Sequence, residues 1–392
     1  MEKVYIISAV RTPLGSFGGV LSELSATELG SIAIRGALNK AGVTGDQIDE
    51  VYFGNVVQAN NGQAPARQAA LKAGISNSTP CTTVNKVCAS GMKAIAFGAQ
   101  AIQLGQAKLI VAGGMESMSN IPFYLPKARY GYKYGDGTLI DGMINDGLLD
   151  AYGKKPMGVY ADETAAEYGI SREEQDIFAV ESYKRSAFAT ENGLFKNEIE
   201  PVELKDKKGN ITVIDIDEEF KKVSFEKIPS LRAVFTKDGT VTAANASTIN
   251  DGAAALVLAS ESAVREFNLS PMAEIIAYGD AAHEPERFTT APVKAANKIL
   301  NLSGLKKEDI DLWEVNEAFA VVTLAFNKTM GIDNSVVNVN GGAVSLGHPL
   351  GASGARIVVT LAHALKNKGK KTGLATLCNG GGGAGAIIIK CV

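Results

Sequence analysis

The sequence predicts an α/β protein made of two similar halves, each a mixed or parallel sheet covered by helices. The first observation behind this prediction is an internal repeat, in which ALNKAGVTGDQIDEV near the start resembles ILNLSGLKKEDIDLW in the last quarter. Gly42 aligns with Gly304, and Asp49 aligns with Asp311. Each copy is typical of a helix that ends at glycine, a short acidic link and an apolar strand.

A second repeat follows the first in both halves. Residues 89–114 resemble residues 352–378, because each copy has Ser-Gly at the start of a helix, then a break, then a strand that runs into a glycine-rich turn. In the first copy Met92, Ile95 and Ala99 recur at helical spacing, which indicates a buried helix face. Two repeats in the same order indicate a duplicated βα unit.

Residues 120–248 lie between the halves and differ from both. They contain the tyrosine-rich YLPKARYGYKYGDG, the helical SREEQDIFAVESYKRSAFATENG and the charged ELKDKKGN. Because the helices of this segment carry apolar faces, we interpret it as an inserted domain rather than a linker. Inserted loops on a rigid scaffold often bind ligands, so the segment is a candidate binding region.

Length and composition agree with this organisation. A chain of 392 residues is expected to form two or three domains. Hydrophobic residues at 46% and charged residues at 21% are typical of soluble proteins. Because the formal net charge is only −3, we expect neither nucleic acid nor a membrane surface as a partner.

The cysteines and the first residues indicate a location. Cys81, Cys88, Cys378 and Cys391 are too few and too scattered for a disulfide framework or a zinc site, so no metal is expected. Reduced thiols are typical of the cytosol. The start, MEKVYIISAVRTP, is typical of a strand rather than a signal peptide, and no apolar run reaches membrane-spanning length. We therefore predict a cytoplasmic protein.

Two residues that lie just before the copies of the second repeat are candidates for chemistry. Cys88 lies just before a predicted helix, where free N–H groups and the helix dipole favour a thiolate, although a lone cysteine is more often an inert core residue. His348, in SLGHPLG, lies on a glycine-rich turn and, at an ordinary pKa, can deprotonate a thiol. His283 is predicted to be a solvated loop residue, and His363 a packing or surface residue.

Two further stretches end predicted strands. In LWEVNEAFA, Asn316 can orient a water or a histidine, although an Asx turn or a helix cap is the commoner role. In TGLATLCNGGGG, Cys378 is followed by Asn379 and four glycines. This run lacks the lysine of a P-loop and leads into another strand, so phosphate binding is weakly supported. Its glycines can instead expose backbone N–H groups beside the cysteine, as an oxyanion hole requires.

Together these motifs resemble the thiolase family. NKVCASG, NEAF, GHP and CNGGGG occur in this order, and the similarity extends from AVRTP near the start to the last strand. The resemblance is closest to the acetyl-CoA C-acetyltransferase branch. It implies a five-layered α-β-α-β-α fold with two five-stranded mixed sheets. It also implies a division into an N-terminal half (1–119 and 249–270), an inserted loop domain that binds coenzyme A (120–248) and a C-terminal half (271–392).

The resemblance also implies a reaction and the residues that perform it. The reaction is a ping-pong Claisen condensation of two acetyl-CoA molecules to acetoacetyl-CoA and CoA, or the reverse thiolysis. Cys88 is the nucleophile, His348 activates it, and Cys378 is the second acid/base. Asn316 fixes a water that, with His348, holds the enolate oxygen. The backbone N–H groups of Cys88 and Gly380 hold the acyl carbonyl. No cofactor is required, because coenzyme A is a substrate and product.

Further positions match the coenzyme A contacts of the family. They are Ser247, toward the pantetheine, and the apolar residues Leu148, Met157, Phe235, Ala318 and Phe319. The resemblance implies a homo-oligomer, and we expect a tetramer rather than a dimer, with YLPKARYGYKYG in the tetramer contact.

Two positions depart from the family pattern. Pro156 stands where short-chain members carry a histidine, which leaves the acyl chain-length range open. Phe220 stands in the place of a tyrosine of potassium-activated members, so we predict weak or absent potassium activation.

Three other functions remain open on the sequence. The first is a 3-ketoacyl-CoA thiolase of broader chain length that acts in β-oxidation. The second is a hydrolase built from Cys88, His348 and Asn316, which leaves Cys378 and the repeat unexplained. The third is a non-catalytic acyl-CoA binding protein, which the complete set of chemical residues argues against.

Overall fold

The computed structural model describes residues 2–392. The strands, in chain order, are β1 Val4–Arg11, β2 Gly15–Ser16, β3 Glu50–Gly54, β4 Cys81–Val84, β5 Leu109–Ser117, β6 Phe123–Tyr124, β7 Ile140–Asp141, β8 Val202–Lys205, β9 Ile211–Ile214, β10 Asn250–Ser260, β11 Ala273–Ala282, β12 Leu312–Val315, β13 Thr372–Asn379 and β14 Gly383–Cys391. The helices are α1 Ala26–Ala41, α2 Pro65–Lys72, α3 Ser90–Gln103, α4 Met157–Tyr168, α5 Arg172–Glu191, α6 Glu261–Glu266, α7 Ala291–Ser303, α8 Ala320–Met330, α9 Ala343–Leu346 and α10 Leu350–Asn367.

The two halves contain sheets with the same strand order. In the N-terminal half the order is β4-β3-β5-β10-β1, with parallel pairing from β4 to β5 and antiparallel pairing beyond. In the C-terminal half the order is β12-β13-β14-β11, again parallel first and antiparallel after. Strands β1 and β11 join the sheets through two residue pairs, Tyr5 with Glu274 and Ile6 with Ala273. Hydrogen bonding therefore links the two sheets into one continuous path.

The fifth strand expected in the C-terminal half is reduced to a single parallel bridge between Trp313 and Val337. Asn338, which follows the bridge, has φ 46 and leaves the extended conformation. Its side-chain amide replaces the strand, because Oδ1 accepts from the N–H of Val315 at 2.8 Å and Nδ2 donates to the Val315 carbonyl at 2.8 Å. The prediction of five full strands in this half is therefore wrong by one strand.

The repeat is visible in matching details of the two halves. Both α1 and α7 end at a left-handed glycine, Gly42 with φ 69 and Gly304 with φ 72. Asp49 then accepts backbone N–H groups at the start of β5 at 2.7 and 2.9 Å. Asp311 accepts the equivalent groups at the start of β13 at 3.0 and 2.9 Å. The duplicated βα unit predicted from the sequence is therefore confirmed.

Apolar clusters separate the layers of the fold. One cluster lies between α1, α2 and the first sheet, and another lies between α7, α8 and the second sheet. The largest fills the space between the sheets and surrounds α3 and α10. The order helix, sheet, helix, sheet, helix confirms the predicted five-layered α/β fold.

The central helices α3 and α10 touch at glycines. A Cβ added to Gly91 would lie 2.8 Å from the backbone nitrogen of Ala355, and one added to Gly354 would lie 2.5 Å from the backbone nitrogen of Met92. Larger residues would push the helices apart. The close crossing brings the first turns of α3 and α10 together, so the segments that precede them meet between the halves.

Adjacent strands β5 and β10 are separated in sequence by a long segment of different structure. It contains α4, α5, the hairpin of β6 with β7 and the hairpin of β8 with β9. The interface between the helices of this segment and the C-terminal half is partly polar, since Ser182 on α5 donates to the buried carboxylate of Glu317 at 2.8 Å. No helix in the described part of the chain is long and apolar enough to cross a membrane.

Candidate active site

Cys88 lies on a strained turn just before α3 and is partly exposed. The preceding Val87 has φ 49, a left-handed conformation that β-branched residues rarely adopt. Ser90 holds the turn, since its hydroxyl accepts from the N–H of Lys86 at 2.8 Å and donates to the carbonyl of Val87 at 2.6 Å. One serine side chain therefore fixes the backbone that carries the cysteine.

The environment of Cys88 favours the neutral thiol. Burial raises the pKa of the Cys88 thiol to about 11, against the lowering effect of the backbone N–H groups of Gly380 and of Cys88 itself. The expectation that the start of the helix favours a thiolate is therefore wrong for the free protein, because desolvation outweighs the nearby N–H groups. The CNGGGG loop of the C-terminal half lies against the turn that carries this sulfur, since a Cβ added to Gly380 would lie 3.6 Å from Val87.

His348 is held in one tautomer. A hydroxyl has one proton, and Ser353 donates it to the carbonyl of Pro349 at 2.8 Å. The Ser353 oxygen, 2.7 Å from Nδ1 of His348, must therefore accept the Nδ1 proton. This leaves a lone pair on Nε2, which is buried and has no hydrogen-bond partner within residues 2–392. The backbone N–H of His348 donates to Asn250 at 3.0 Å and anchors the turn.

The imidazole of His348 is neutral. Burial, followed by the positive charge of Arg356, lowers the pKa of His348 to about 3, well below the ordinary value that the sequence suggests. A neutral Nε2 can accept a proton, and the neutral Cys88 thiol can supply one. The two groups are therefore suited to proton transfer during a reaction rather than to a standing ion pair.

Packing places His348 near Cys88. The crossing of α3 and α10 joins the two segments, and Leu350, two residues after the histidine, packs in one apolar cluster with Val87 and Cys88. The sequence-predicted nucleophile and base, which lie far apart in the chain, are thus brought to the same place.

Cys378 lies at the end of β13 and is 1% exposed. Burial, followed by the negative charge that Cys88 would carry, raises the pKa of the Cys378 thiol. Cys378 pairs with Ala384 of β14, and the carbonyl of Ala384 accepts from Nζ of Lys86, two residues before Cys88, at 3.2 Å, so the two cysteines lie on adjoining segments. Cys378 is therefore a neutral thiol at rest and a strong base once it loses its proton.

Asn316 follows β12 and lies beside the end of β13, because its backbone N–H donates to the carbonyl of Thr376 at 3.0 Å. The side chain is 1% exposed. Neither its Oδ1 nor its Nδ2 has a hydrogen-bond partner among the residues described. The side chain thus caps no helix and closes no Asx turn, and its buried amide is available to a water or a substrate.

The predicted coenzyme A residues divide between the surroundings of the two cysteines. Leu148 packs in the apolar cluster that contains Cys88. The other apolar positions pack in the cluster that contains Cys378: Met157, Phe235, Ala318 and Phe319. The rings of Phe235 and Phe319 meet edge to face, with centroids 6.0 Å apart. These positions therefore flank the two sulfurs.

Ser247 opens toward a cleft of about 400 Å³ beside these clusters. The backbone N–H of Ser247 donates to the carbonyl of Ala318 at 3.0 Å, which ties the segment before β10 to the NEAF motif. Phe235 also lines the cleft, together with Ser16, Phe17, Lys222, Val234 and Ile249. The structure thus brings Ser247 and Phe235 to one opening on the surface.

The two departures from the family pattern lie in ordered structure. Pro156 immediately precedes α4 and forms a bridge with Leu149. Phe220 is 9% exposed and packs in an apolar cluster with Tyr183 and Val344. A phenylalanine at this place offers no oxygen to an ion.

Two supporting residues were not identified from the sequence. For Ser353, in the repeated Ala-Ser-Gly, the sequence indicates only the start of a helix. Glu116, in the stretch GGMESMS, is buried and accepts the N–H groups of Val56 at 3.0 Å and Gly351 at 2.8 Å. Burial raises the pKa of Glu116 to about 7. This carboxyl group ties the start of α10 to the N-terminal half, and the ionisable residue among buried glycines was the signal for it.

Two other sequence predictions concern histidines. The prediction for His283 is wrong, because its side chain is 7% exposed and packs against the glycine loop, where its backbone N–H donates to Gly382 at 2.9 Å. His363 is buried in α10 with Nε2 2.9 Å from the Ala9 carbonyl, which confirms a packing role. Across residues 2–392 no group of three or more His, Cys, Asp or Glu side chains could hold a metal ion.

Comparison with known proteins identifies the class of protein that has this fold and a site with two cysteines. The model of the thiolase N-terminal domain matches residues 4–262, and that of the thiolase C-terminal domain matches residues 269–391. The chain belongs to the thiolase family.

Similar proteins match over the whole chain. It is 54% identical over 391 residues to an acetyl-CoA acetyltransferase of Schizosaccharomyces pombe, covering 100% of this chain and 99% of that protein. It is also 54% identical over 391 residues to the human mitochondrial acetyl-CoA acetyltransferase, covering 100% of this chain and 91% of that protein. The crystal structure of Acat5 thiolase from Ascaris suum in complex with coenzyme A has a TM-score of 0.95 and 48% identity, with 100% of both chains covered.

Proposed function

We propose that the protein is an acetyl-CoA C-acetyltransferase, which condenses two acetyl-CoA molecules to acetoacetyl-CoA and CoA and catalyses the reverse thiolysis. The observation that carries the proposal is the placement of the loop that follows Cys378 against the turn that carries Cys88: Nζ of Lys86 lies 2.9 Å from Oδ1 of Asn379, and a Cβ added to Gly380 would lie 3.6 Å from Val87. A nucleophile, an acid/base and an oxyanion donor from two halves meet there. The relatives named acetyl-CoA acetyltransferase support the substrate.

Acylation of Cys88 is the first half of the reaction. The sulfur attacks the thioester carbonyl of acetyl-CoA while Nε2 of His348 takes the thiol proton. Because the thiol pKa is about 11 and the imidazole pKa about 3, the proton moves as the bond forms. The carbon–sulfur bond of acetyl-CoA breaks, and Cys378 gives its proton to the departing CoA sulfur. The products are acetyl-Cys88, protonated His348, a Cys378 thiolate and CoA.

Condensation is the second half. The Cys378 thiolate, made strongly basic by burial, removes an α-proton from a second acetyl-CoA. The carbanion attacks the carbonyl of acetyl-Cys88, and a carbon–carbon bond forms as the bond to sulfur breaks. The Cys88 sulfur leaves and recovers its proton from His348. Protons and electrons balance, and both cysteines return to the thiol form.

Two oxygens develop negative charge during these steps. The acyl carbonyl is held by the backbone N–H groups of Cys88 and Gly380. The enolate oxygen is held by the protonated Nε2 of His348 and by a water bound to the side-chain amide of Asn316. This buried amide has no hydrogen-bond partner within the described part of the chain, so it is available to such a water. Loss of one such donor typically lowers the rate by about 10²–10³-fold.

Coenzyme A binding is assigned to Ser247 and to the apolar walls at Leu148, Met157, Phe235, Ala318 and Phe319. The support is their placement around the two sulfurs and the cleft. Because Met157 and Phe235 come from the segment between β5 and β10, we assign residues 120–248 as the inserted coenzyme A-binding domain.

A steady-state assay of acetoacetyl-CoA with CoA, combined with mass spectrometry of the acetyl adduct, tests the proposal. Cys88→Ala is expected to lose both the adduct and turnover, whereas Cys378→Ala is expected to lose turnover. Cys391→Ala, a half-buried cysteine at the end of β14, is the control and should keep the wild-type rate. Wild-type rates in both Cys88→Ala and Cys378→Ala would refute the catalytic assignment.

A 3-ketoacyl-CoA thiolase of broader chain length is the second candidate, favoured by one observation: Pro156 in place of a histidine. Thiolysis rates on acetoacetyl-CoA and on a longer 3-ketoacyl-CoA distinguish the two, and we expect acetoacetyl-CoA to be the better substrate. A hydrolase with a Cys-His-Asn triad is disfavoured, because Nδ1 of His348 donates to Ser353 rather than to Asn316.

Potassium activation is expected to be weak or absent. Carbonyl groups of Ala243, Ala244, Ala246 and Val344 could line an ion site, but Phe220 supplies no phenolic oxygen. The measurement is the rate of thiolysis when sodium is replaced by potassium at fixed ionic strength. A clear rise in rate would contradict the expectation.

We further propose a cytoplasmic homotetramer that acts in fatty acid metabolism. The free cysteines support a reducing compartment. Tyr130 and Tyr134, 89% and 103% exposed, support burial of their loop in an oligomer. Sedimentation of the purified protein tests the tetramer, and cell fractionation tests the cytoplasmic location.

A further inference from the structure

The ammonium group of Lys86 connects the two halves beside the reaction centre. Its Nζ lies 2.9 Å from Oδ1 of Asn379, 3.2 Å from the carbonyl of Ala384 and 3.2 Å from Oδ1 of Asp280. An ammonium has three N–H donors, and each has an oxygen acceptor here. All three acceptors belong to the C-terminal half, whereas Lys86 belongs to the N-terminal half. The side chain is 25% exposed, so solvent weakens the contacts without replacing them.

The side chain of Asn379 connects Lys86 to Gly380, the residue whose N–H is the proposed oxyanion donor. Its Oδ1 accepts from Lys86, so its Nδ2 is the donor to the carbonyl of Gly380, at 2.8 Å. The amide orientation is thus fixed by partners on both sides. Packing also restricts it, since a Cβ added to Gly383 would lie 2.6 Å from Nδ2 of Asn379. The glycine whose N–H is assigned to the oxyanion hole is therefore held by the side chain of the preceding residue.

Lys86 also belongs to the turn that carries the nucleophile. It precedes Cys88 by two residues, and the intervening Val87 has the strained φ of 49. A strained backbone conformation persists where several independent contacts of the surrounding structure hold it in place. Ser90 holds the turn from within α3, and the lysine side chain holds it from the opposite half.

We propose that Lys86 is a positioning residue that sets the placement of the Gly380 N–H relative to the acyl group on Cys88. The inference deepens the proposed function and rests on it. The lysine touches no reacting atom. Its effect is on the geometry of the oxyanion hole, because it fixes both the turn that carries the sulfur and the loop that carries the donor. A displacement of about 1 Å at such a site can cost about 10²-fold in rate.

Lys93 provides a matched control. It lies on α3 and contacts the same carboxylate, with Nζ 2.7 Å from Oδ2 of Asp280. It therefore forms an ion pair of the same type between the same halves. Within the described part of the chain, Lys93 makes no hydrogen bond to Asn379 or Gly380. A purely structural ion pair would make Lys86→Met and Lys93→Met equivalent.

The test compares two reactions of the same sulfur. Acylation of Cys88 by acetyl-CoA in a single turnover passes through an oxyanion, whereas alkylation by iodoacetamide does not. Lys86→Met is expected to slow acylation about 10- to 100-fold and to leave the alkylation rate of Cys88 and its pH profile near wild type. Lys93→Met should change acylation less than about 3-fold. Asp280→Asn, which retains Oδ1, should give a smaller loss of the same kind and serves if Lys86→Met does not fold.

Each other outcome overturns the inference. Equal losses in Lys86→Met and Lys93→Met would make the contact a general tie between halves. A parallel loss of alkylation, or a shifted alkylation pH profile, would mean that Lys86 acts through its charge on the thiol. Unchanged acylation would remove any role. If the wild-type protein itself forms no acetyl-Cys88, the proposed function fails; if the wild type acylates and Lys86→Met matches it, only this inference fails.

Discussion

Ser90 and Ser353 occupy matching places in the two repeats and make the same kind of contact for different purposes. Each hydroxyl donates to a backbone carbonyl just upstream, that of Val87 for Ser90 and that of Pro349 for Ser353. Each oxygen then accepts from the segment before the helix. For Ser90 the donor is the backbone N–H of Lys86, and for Ser353 it is the imidazole of His348.

The difference shows that the same serine contact performs a different function in each copy of the duplicated fold. In the N-terminal half the serine stabilises a strained backbone turn beneath the nucleophile. In the C-terminal half the serine selects the tautomer of the base. The helices differ accordingly, since α3 begins at Ser90 whereas α10 begins three residues before Ser353. The extra residues in α10 place its first turn beside the opposite half.

The largest effect that bears on this comparison is expected at the helix crossing. Gly354→Ala should lower the free energy of unfolding by about 3 kcal/mol, because its Cβ would lie 2.5 Å from the backbone nitrogen of Met92. Gly91→Ala should cost less, since its nearest backbone atom is 2.8 Å away. Urea denaturation measures both.

Gly98→Ala is the control for the crossing. It lies on the same helix as Gly91, but its Cβ would meet side-chain methyl groups, with Leu258 at 2.9 Å. A Gly98→Ala loss as large as that of Gly354→Ala would show that the crossing is no more tightly packed than the sheet face of α3.

The next effect separates the two serines. Ser353→Ala leaves the Nδ1 proton of His348 without its acceptor, so it should slow acylation of Cys88 about 10- to 100-fold and cost about 1 kcal/mol of stability. Ser90→Ala leaves the N–H of Lys86 without its partner and should cost about 1–2 kcal/mol of stability, although the carbonyl of Val87 keeps the backbone N–H of residue 90 at 3.0 Å. Single-turnover acylation and denaturation are measured on both variants. Identical profiles for the two serines would contradict the division of roles.

A smaller effect concerns pH. The pKa of His348 is about 3 in the folded protein against an ordinary value of 6.5, so the unfolded chain binds the extra proton between these values. Stability that depends on the neutral imidazole is therefore lost as pH falls below 6.5. From pH 6.5 to 5.5 the loss is about 1 kcal/mol.

His348→Asn serves as the reference for this measurement, because it cannot titrate in that range. The difference in unfolding free energy between wild type and His348→Asn should narrow or reverse as pH falls. A difference that stays constant from pH 6.5 to 5.5 would show that the imidazole is not buried in its neutral form.

The smallest effect tests the part of the repeat that stayed alike. Asp49→Asn and Asp311→Asn each keep one oxygen acceptor and lose the charge, so each should cost about 0.5–1 kcal/mol. The two losses should agree, and turnover should remain at the wild-type level. Thermal denaturation measures both losses. Unequal losses would show that Asp49 and Asp311 do not contribute equally to stability.

Much of the fold follows from local rules that the sequence displays. The left-handed glycines Gly42 and Gly304 and the aspartates beside them mark the repeat, and a repeat dictates the same strand order twice. The missing fifth strand was not predictable in this way. It depends on Asn338, whose side chain replaces a strand backbone, and nothing in its neighbours distinguishes that use from an ordinary strand residue.

The site was predicted as a set of residues, but its electrostatics were not. The motifs identified Cys88, His348 and Cys378, which the structure brings together. Their pKa values depend on burial from both halves, and burial at a joint between distant segments has no local signal. For the same reason Lys86, whose three acceptors lie in the opposite half, gave no indication of its contacts.

The pairing of β1 with β11 through Tyr5 and Ile6 has a consequence for folding. Each half has its own apolar cluster and its own sheet, so secondary structure can form in both before they dock. The reaction centre has no such independence, because its thiols, imidazole and backbone donors come from both sides of the joint. Recovery of activity during refolding therefore reports the docking of the halves rather than the folding of either one.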